Sequence, residues 1–376
     1  MNQKNISSIF DRYIDKFELI NNEEHNENSK WVAVNNFQKL FDVDAPDFSS
    51  MLKLACDSTE NIIDDHLQPF KGLVRLAEKN GESETIREMF KDLFSDDGGD
   101  LALRQKKINR FIDMSDELID RHYPGNLLYR NDQRSVMGYL WLYDPDHNFI
   151  CRNTETEYFA RAAELPDNWG NYLDFRLEEY YDFCETVLNE IRNNEALLDR
   201  HNSRFQDGQG MNEDKNLHIL LFDIIHSAFA HDLYNGLKIK KYTMDQRKQF
   251  HEKRVKGEQI ASDLAEAEIQ KVMLDEAVDT ALKWADRGVT ITHKIFGDGK
   301  VEELDDKHIT LMFPDKGVTK KFQITSALGG GFLKFNTDEF EEFSKNYTYV
   351  LNHATSICNR LESLKKVIPE YTVYIS

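Results

Sequence analysis

Residues 288–313 read Gly-Val-Thr-Ile-Thr-His-Lys-Ile-Phe-Gly-Asp-Gly-Lys-Val-Glu-Glu-Leu-Asp-Asp-Lys-His-Ile-Thr-Leu-Met-Phe, and this stretch predicts a small β-unit. Apolar and polar residues alternate over 289–292 and again over 308–313, as they do on half-buried strands. Phe-Gly-Asp-Gly at 296–299 indicates a tight turn, because glycine adopts positive φ at little cost. A second turn at 314–317 and a strand over 318–324 complete the unit. Short strands at this spacing favour a small barrel, which leaves few open edges.

The rest of the chain has the composition of a globular protein. Its 376 residues are 40% hydrophobic, which is enough for two or three domains with sizeable cores. Four cysteines are widely spaced and form no CxxC motif, so we expect reduced thiols in a cytoplasmic protein: Cys56, Cys151, Cys184 and Cys358. We expect neither a secretory signal nor a membrane span, because the first residues are polar and no apolar run is long enough.

The negative charge is concentrated in the first two thirds of the chain. Of the formal net charge of -20, residues 244–376 contribute only -3, and residues 1–243 contribute -17. An acidic surface repels phosphate backbones, so nucleic acid is at most a weak partner and any contact with it would be local. The acidity itself is typical of a surface that keeps a protein soluble.

Apolar periodicity divides the chain into five predicted segments. Long helical patterns surround the β-unit, and one helix is expected to begin at Leu173. Residues 205–216 are rich in Gly, Asn and Asp and predict a loop, whereas the nearly all-apolar 217–233 predicts a buried central helix. The segments are an N-terminal helix and linker over 1–29, a helical domain over 30–243, a long helix over 244–287, the β-unit over 288–335 and a C-terminal helix over 336–376.

The two C-terminal helical patterns each carry one apolar face. Over 244–286 and 337–366 these faces predict an antiparallel helical hairpin with the β-unit at its tip. The alternative use of the same faces is a seam between subunits of a homo-oligomer, which would make the chain an oligomeric scaffold. Periodicity alone does not distinguish the two.

Part of the helical domain resembles a known module. Its spaced aromatic clusters are similar to the region that precedes the motor in McrB-like AAA+ restriction ATPases of bacterial defence systems; the clusters lie at 30–37, 48–52, 89–94, 139–145 and 217–225. The chain has no GxxxxGK[ST] loop, so the nucleotide motor of that family is missing. The resemblance implies a sensing or adaptor protein that lacks the ATPase motor.

The β-unit carries a second resemblance. His-Lys-Ile-Phe-Gly-Asp-Gly-Lys-Val at 293–301, the strand that ends in Phe-Pro at 313–314, and the basic residues after it resemble the Tudor/SH3-like barrel at the C-terminus of UvrD/PcrA helicases. In that family the barrel docks RNA polymerase or nucleic acid. The resemblance therefore implies a docking surface, for which the sequence offers six residues: Lys294, Phe296, Lys300, Lys316, Lys320 and Lys321. Acidic residues are interspersed with these lysines, which favours a protein partner over DNA.

One group of residues suggests an enzyme instead. His226, His231 and Asp232 lie close together in the sequence, and a His-Asp dipeptide supplies metal ligands in HD phosphohydrolases. Such a site needs a further His, for which His201 or His218 is available, and a further Asp, for which Asp263 or Asp275 is available. Histidines five residues apart do not stack on one helical face, so this spacing favours structural histidines that are satisfied by hydrogen bonds.

Other catalytic chemistries lack their motifs. The chain contains no GxSxG, HExxH, EF-hand loop or GxGxxG sequence, and we expect no cofactor. Five aromatic residues have the right chemistry to stack on a nucleobase, although core packing is their usual role: Tyr139, Trp141, Tyr143, Phe149 and Trp169.

These observations predict a mainly α protein in which a multi-helix N-terminal domain is followed by a small SH3-like β-barrel inserted between two long C-terminal helices. The function they favour is that of a non-enzymatic adaptor in a bacterial cytoplasmic system, in phage defence or DNA metabolism. Its expected partner is a protein such as a nuclease, an ATPase or RNA polymerase. The alternatives are the metal-dependent phosphohydrolase and the oligomeric scaffold.

Overall fold

A computed structural model describes residues 1–59, 62–171, 174–205, 211 and 213–375. The chain forms two compact units, Met1–Lys248 and Gln249–Ser376. The protein is mainly helical, with one small antiparallel sheet near its C-terminus, which confirms the predicted fold class at this level.

The first unit is built from helices. They are α1 Gln3–Asp15, α2 Phe17–Ile20, α3 Ser29–Leu40, α4 Phe48–Asp57, α5 Pro69–Lys79, α6 Ser83–Phe94, α7 Leu101–His122, α8 Gln133–Tyr143, α9 Asn153–Ala162, α10 Leu177–Arg192, α11 Glu195–Ser203 and α12 His218–Ala230. Residues 1–29, which the sequence suggests as a separate segment, belong to this same unit. Leu173 and half of the predicted loop over 205–216, namely 206–210 and 212, lie outside the described residues.

Short polar side chains begin several of these helices. Asp47, Asp100 and Asp132 each accept a hydrogen bond from a backbone amide in the first turn of α4, α7 and α8. Such caps satisfy donors that have no partner inside the helix. Pro69 occupies the first turn of α5, where its missing amide costs nothing.

Helix α12 is the central helix of this core, as its composition predicts. Most of its residues from His218 to Ala228 are buried, and α1, α3, α9 and α10 pack around it. It carries one carboxylate, Asp223, whose side chain is completely buried. A charge at that depth needs partners, and these determine how α12 is held in place.

The second unit contains the β-unit and two antiparallel helical segments. Helix α13 (Met244–Asp286) crosses the boundary between the two units. It is followed by β1 Ile291–His293, β2 Gly297–Leu304, β3 His308–Phe313, β4 Val318–Gln323, the short helix α14 Ile324–Gly329 and β5 Leu333–Phe335. Every strand contact is antiparallel, and the order across the sheet is β4-β3-β2-β1-β5.

The sheet is not closed into the predicted barrel. Within Ile291–Phe335, all of which is described, β4 and β5 are the two edges of a five-stranded sheet. Helix α14 separates these strands in the chain and packs against both of them, with Ala327 and Leu328 buried. Because a helix covers the place where β4 and β5 would have to meet, the strands do not form a closing ladder.

The chain after the sheet folds back along α13. It forms α15 Phe340–Asn352 and α16 Ala354–Val367, so the single helix predicted for this region is interrupted at His353. Ion pairs join Arg360 to Asp263 and Lys365 to Glu268, while Trp284 packs on Phe343. The two segments are therefore antiparallel, and their apolar faces form a core within the chain.

Candidate docking surface and a buried polar network

The side chain of His293 organises the turn after β1. Its Nδ1 accepts hydrogen bonds from the backbone amides of Ile295, at 3.0 Å, and of Phe296, at 3.2 Å. Only a neutral imidazole has a ring nitrogen free to accept, and burial lowers the pKa of His293 below its ordinary value. The His-Lys-Ile-Phe part of the motif is thus a side-chain-stabilised turn.

The two glycines of the motif are required for different reasons. Gly297 has φ of +80°, a conformation that other residues adopt only with strain. At Gly299 a Cβ atom would lie 2.9 Å from the ring of Phe313, so the missing side chain leaves room for an aromatic residue of the core. The motif therefore specifies a backbone shape.

An aromatic cluster lies behind this turn. The ring of His293 packs on Phe296, Phe322 and Phe332, with centroid distances of 4.8, 4.9 and 6.4 Å. Phe322 lies on edge strand β4 and Phe332 directly precedes the other edge strand, β5. The cluster thus brings one residue of β4 and the residue before β5 together around His293.

This cluster reaches the surface. Ile295 is 67% exposed and Phe332 is 46% exposed, while Phe296 and Phe322 are half-buried. We call these four residues the aromatic patch. Large apolar side chains gain nothing from contact with water, so exposed ones beside an aromatic cluster are typical of an interaction surface.

The six residues predicted for docking do not form one group. Phe296 belongs to the aromatic patch, and Lys294 is exposed in the same turn. Lys320 alternates with Phe322 and shares its face of β4. Lys321 is on the opposite face and pairs with Asp305 at 3.1 Å.

The other two lysines lie elsewhere on the β-unit. Lys316 is exposed in the turn between β3 and β4. Lys300, on β2, lines a groove that also contains Asp298, Glu302 and Glu303. Three carboxylates and Lys300 therefore lie along β2, whereas lysines are the only charged residues of β4 and β5.

The first unit contains a buried ionic network around Asp223. Lys30 Nζ lies 2.8 Å from Asp223 Oδ1, and Arg204 Nη2 lies 3.3 Å from Asp223 Oδ2. The hydroxyl of Tyr13 donates to Asp223 Oδ2 and accepts a hydrogen bond of 2.5 Å from Arg204. Burial alone would raise the pKa of Asp223, but the two cations outweigh it and hold that pKa below its ordinary value.

A second set of contacts extends the network toward the surface. Glu27 pairs with Lys30 and lies 3.5 Å from His226 Nε2 and 3.2 Å from His231 Nε2. The other ring nitrogen of His226 is 3.0 Å from Glu155 on α9. Burial alone would lower the pKa of His226. Its hydrogen bonds to the carboxylates of Glu155 and Glu27 have the larger and opposite effect, so the pKa is raised to about 8.

The histidines that suggest a phosphohydrolase contact either Glu27 or aromatic residues of the core. His226 and His231 both contact Glu27, whereas Asp232 is exposed in a turn beyond the end of α12, with φ of +52°. His201 is buried against Trp31, and His218 is buried against Phe149. Across the described ranges, no group of three or more His, Cys, Asp or Glu side chains is placed to hold a metal ion.

The aromatic residues considered for base stacking lie mostly in the core. Tyr139, Trp141, Phe149 and Trp169 are buried. Tyr143 is 44% exposed, and its ring stacks on Phe94 at 4.0 Å. Their usual role in packing therefore applies to four of the five.

Sequence reasoning missed the ionic network. Glu27, Lys30 and Arg204 have nothing in their local sequence that marks them as buried. One signal was present, because Asp223 stands alone among apolar residues of a helix predicted to be central. A carboxylate at such a position requires buried cations, although the sequence does not say which.

No family model, curated protein or solved structure matches this chain. Among the residues that the structure describes, no helix combines the length and the apolar character needed to cross a membrane. The function must therefore be argued from the geometry of the chain itself.

Proposed function

We propose that this chain is a non-enzymatic interaction protein that docks a partner protein through its β-unit. In this proposal the β-unit is an SH3-like domain in which β4 and β5 do not pair with each other. The motif at 293–301 supports that assignment, as does the strand order, which returns β5 to the side of β1.

The observation that carries the proposal is the aromatic patch. It combines two exposed apolar side chains, Ile295 and Phe332, with the aromatic cluster around His293. Interfaces draw most of their binding energy from a few such residues held in position before binding. The His293 turn supplies that preorganisation, since two hydrogen bonds hold the loop that presents Ile295.

Charge favours a protein over a nucleic acid as the partner. Residues 288–335 contain seven lysines and six carboxylates, and the whole chain has a net charge of -20. Nucleic-acid binding depends on several cations that neutralise phosphates together. The lysines here are divided between faces, and Lys321 is already paired.

The first unit acts in this proposal as the body that carries the docking unit. The likeness of its aromatic clusters to the region ahead of McrB-like motors supports an adaptor role without nucleotide hydrolysis. A nuclease, an ATPase or RNA polymerase as the captured partner would place the chain in bacterial defence or DNA metabolism.

Binding measurements on surface variants test the proposal. The intact chain is immobilised, the proteins that it retains from cells of its source are identified, and each is purified. Its affinity is then measured for the unmodified chain and for the double variant Ile295→Ser/Phe332→Ser. We expect the variant to bind at least about thirtyfold more weakly, the effect of losing about 2 kcal/mol at an interface hot spot.

A matched control distinguishes docking through the aromatic patch from nonspecific hydrophobic binding. Ile269 and Val272 are exposed on α13, at 63% and 57%, and the double variant Ile269→Ser/Val272→Ser removes a similar apolar area. We expect this control to bind as the unmodified chain does. Equal affinity of the patch variant and the unmodified chain, or a loss confined to the control, would refute docking through the patch.

A further inference from the structure

The ladder between β1 and β2 ends before β2 does. It pairs Ile291 with Gly299 and His293 with Gly297, and there it stops. Extending this register would place Thr290 opposite Lys300 and Val289 opposite Val301. No backbone hydrogen bond joins 288–290 to 300–304 in the described chain, so this part of β2 is paired on one side only, with β3.

A groove occupies the gap between the two diverging segments. Its volume is about 620 Å³, and its walls are residues 288–290 and 298–304 together with the end of α13 and Pro314. Val289 and Val301 provide apolar surface, and both are partly buried against the core of the second unit. An unpaired strand edge next to apolar side chains is the setting in which an extended peptide adds to a sheet.

The charge around the groove is strongly negative. Asp286, Asp298, Glu302 and Glu303 line it, whereas Lys300 is the one cation among its lining residues. None of the four carboxylates forms an ion pair with another described residue. A β-bulge between Val301 and Glu303 shifts the register of β2 at this place, which alters the direction of the side chains along the groove.

We infer that this groove binds a lysine- or arginine-rich extended segment of a partner protein, which adds as a strand beside residues 300–304 of β2. The unpaired edge provides backbone hydrogen bonds, the valines accept alternate apolar side chains, and the four carboxylates select basic residues between them. This surface is distinct from the aromatic patch, whose four residues are all uncharged. The inference goes beyond the proposed function and does not depend on it.

A defined peptide tests the inference on the full chain. The probe is a fluorescent decapeptide of alternating lysine and valine, and its counterpart alternates glutamate and valine. Anisotropy titration compares the unmodified chain with Glu302→Gln/Glu303→Gln, which removes two groove charges without changing side-chain size. We expect the basic peptide alone to bind, and the variant to weaken that binding about tenfold.

The control removes the same number of charges elsewhere. Glu341 and Glu342 are exposed on α15, and Glu341→Gln/Glu342→Gln should change the affinity less than twofold. Hydrogen exchange adds a second readout, because strand addition should slow amide exchange within residues 300–304. The inference is overturned if the basic peptide does not bind, if both charge variants weaken it equally, or if these amides gain no protection. If these peptide tests fail but the Ile295→Ser/Phe332→Ser variant still loses its partner protein, the inference about the groove is wrong. Docking through the aromatic patch would then still hold.

Discussion

Lys30 Nζ lies 2.8 Å from Asp223 Oδ1, with 5% and 0% of the two side chains exposed. This ion pair joins the start of α3 to the middle of α12, across 193 positions of sequence. It is deep enough that water cannot compensate for the loss of one partner. The pair therefore provides the most direct test of how the first unit is held together.

Replacing Lys30 by methionine should destabilise the first unit by about 3 kcal/mol. The substitution keeps most of the apolar stem, so the main loss is the charge that compensates Asp223. Urea unfolding followed by circular dichroism measures the change. Lys91→Met is the control, because Lys91 pairs with Asp44 at the surface and should lose less than about 1 kcal/mol. Similar losses in the two variants would show that burial does not set the strength of the Lys30 contact.

His226 should make stability depend on pH in a defined window. Its pKa is about 8 in the folded protein and ordinarily about 6.5, so folding takes up a proton between these values. The stabilisation is complete below pH 6.5 and is lost as the pH rises through 8. The charged groups that act on this ring are Glu155, Glu27 and Lys30.

The variant His226→Gln isolates this contribution. We expect it to be less stable than the unmodified chain by about 1 kcal/mol at pH 6, after allowance for partial exposure of the ring. The difference should disappear by about pH 9. It is measured as the gap between two curves of unfolding free energy against pH, and a gap of constant size would rule out a role for His226 protonation.

His293 should show the opposite dependence. Its folded pKa is lowered, so the stability that it contributes is present above its ordinary pKa of about 6.5 and is lost as the pH falls. Protonation removes the acceptor of the amides of Ile295 and Phe296. In His293→Ala these two amides should exchange with solvent at least about fivefold faster, consistent with the loss of about 1 kcal/mol per hydrogen bond. Unchanged exchange at both positions would show that the turn does not depend on the imidazole.

The cysteines should differ in reactivity. Cys56, Cys151 and Cys184 are buried, and burial raises the pKa of each thiol, whereas Cys358 on α16 is partly exposed. A chromogenic disulfide reagent should therefore label about one thiol quickly in the native chain and all four after unfolding. The fast phase should vanish in Cys358→Ser, and its persistence there would mean that a buried thiol becomes accessible in the native state.

Local pattern predicted the elements of this protein well. The nearly all-apolar composition of 217–233 anticipated helix α12, alternation over 308–313 anticipated β3, and the strand expected over 318–324 is β4. These signals are reliable because each residue's burial follows directly from the helix or strand that contains it. The open side of the sheet was not anticipated, since it depends on where α14 packs after β4.

The sequence by itself determined the mainly helical class, the position of the β-unit and the buried central helix within 217–233. It did so because composition and periodicity report how each segment divides between water and core. Only the tertiary structure decided that Lys30 and Arg204 meet Asp223, that the predicted docking lysines lie on different faces, and that the sheet leaves an aromatic patch exposed. Those contacts join distant parts of the chain, and their geometry arises from the packing of whole elements, which no local pattern of residues encodes.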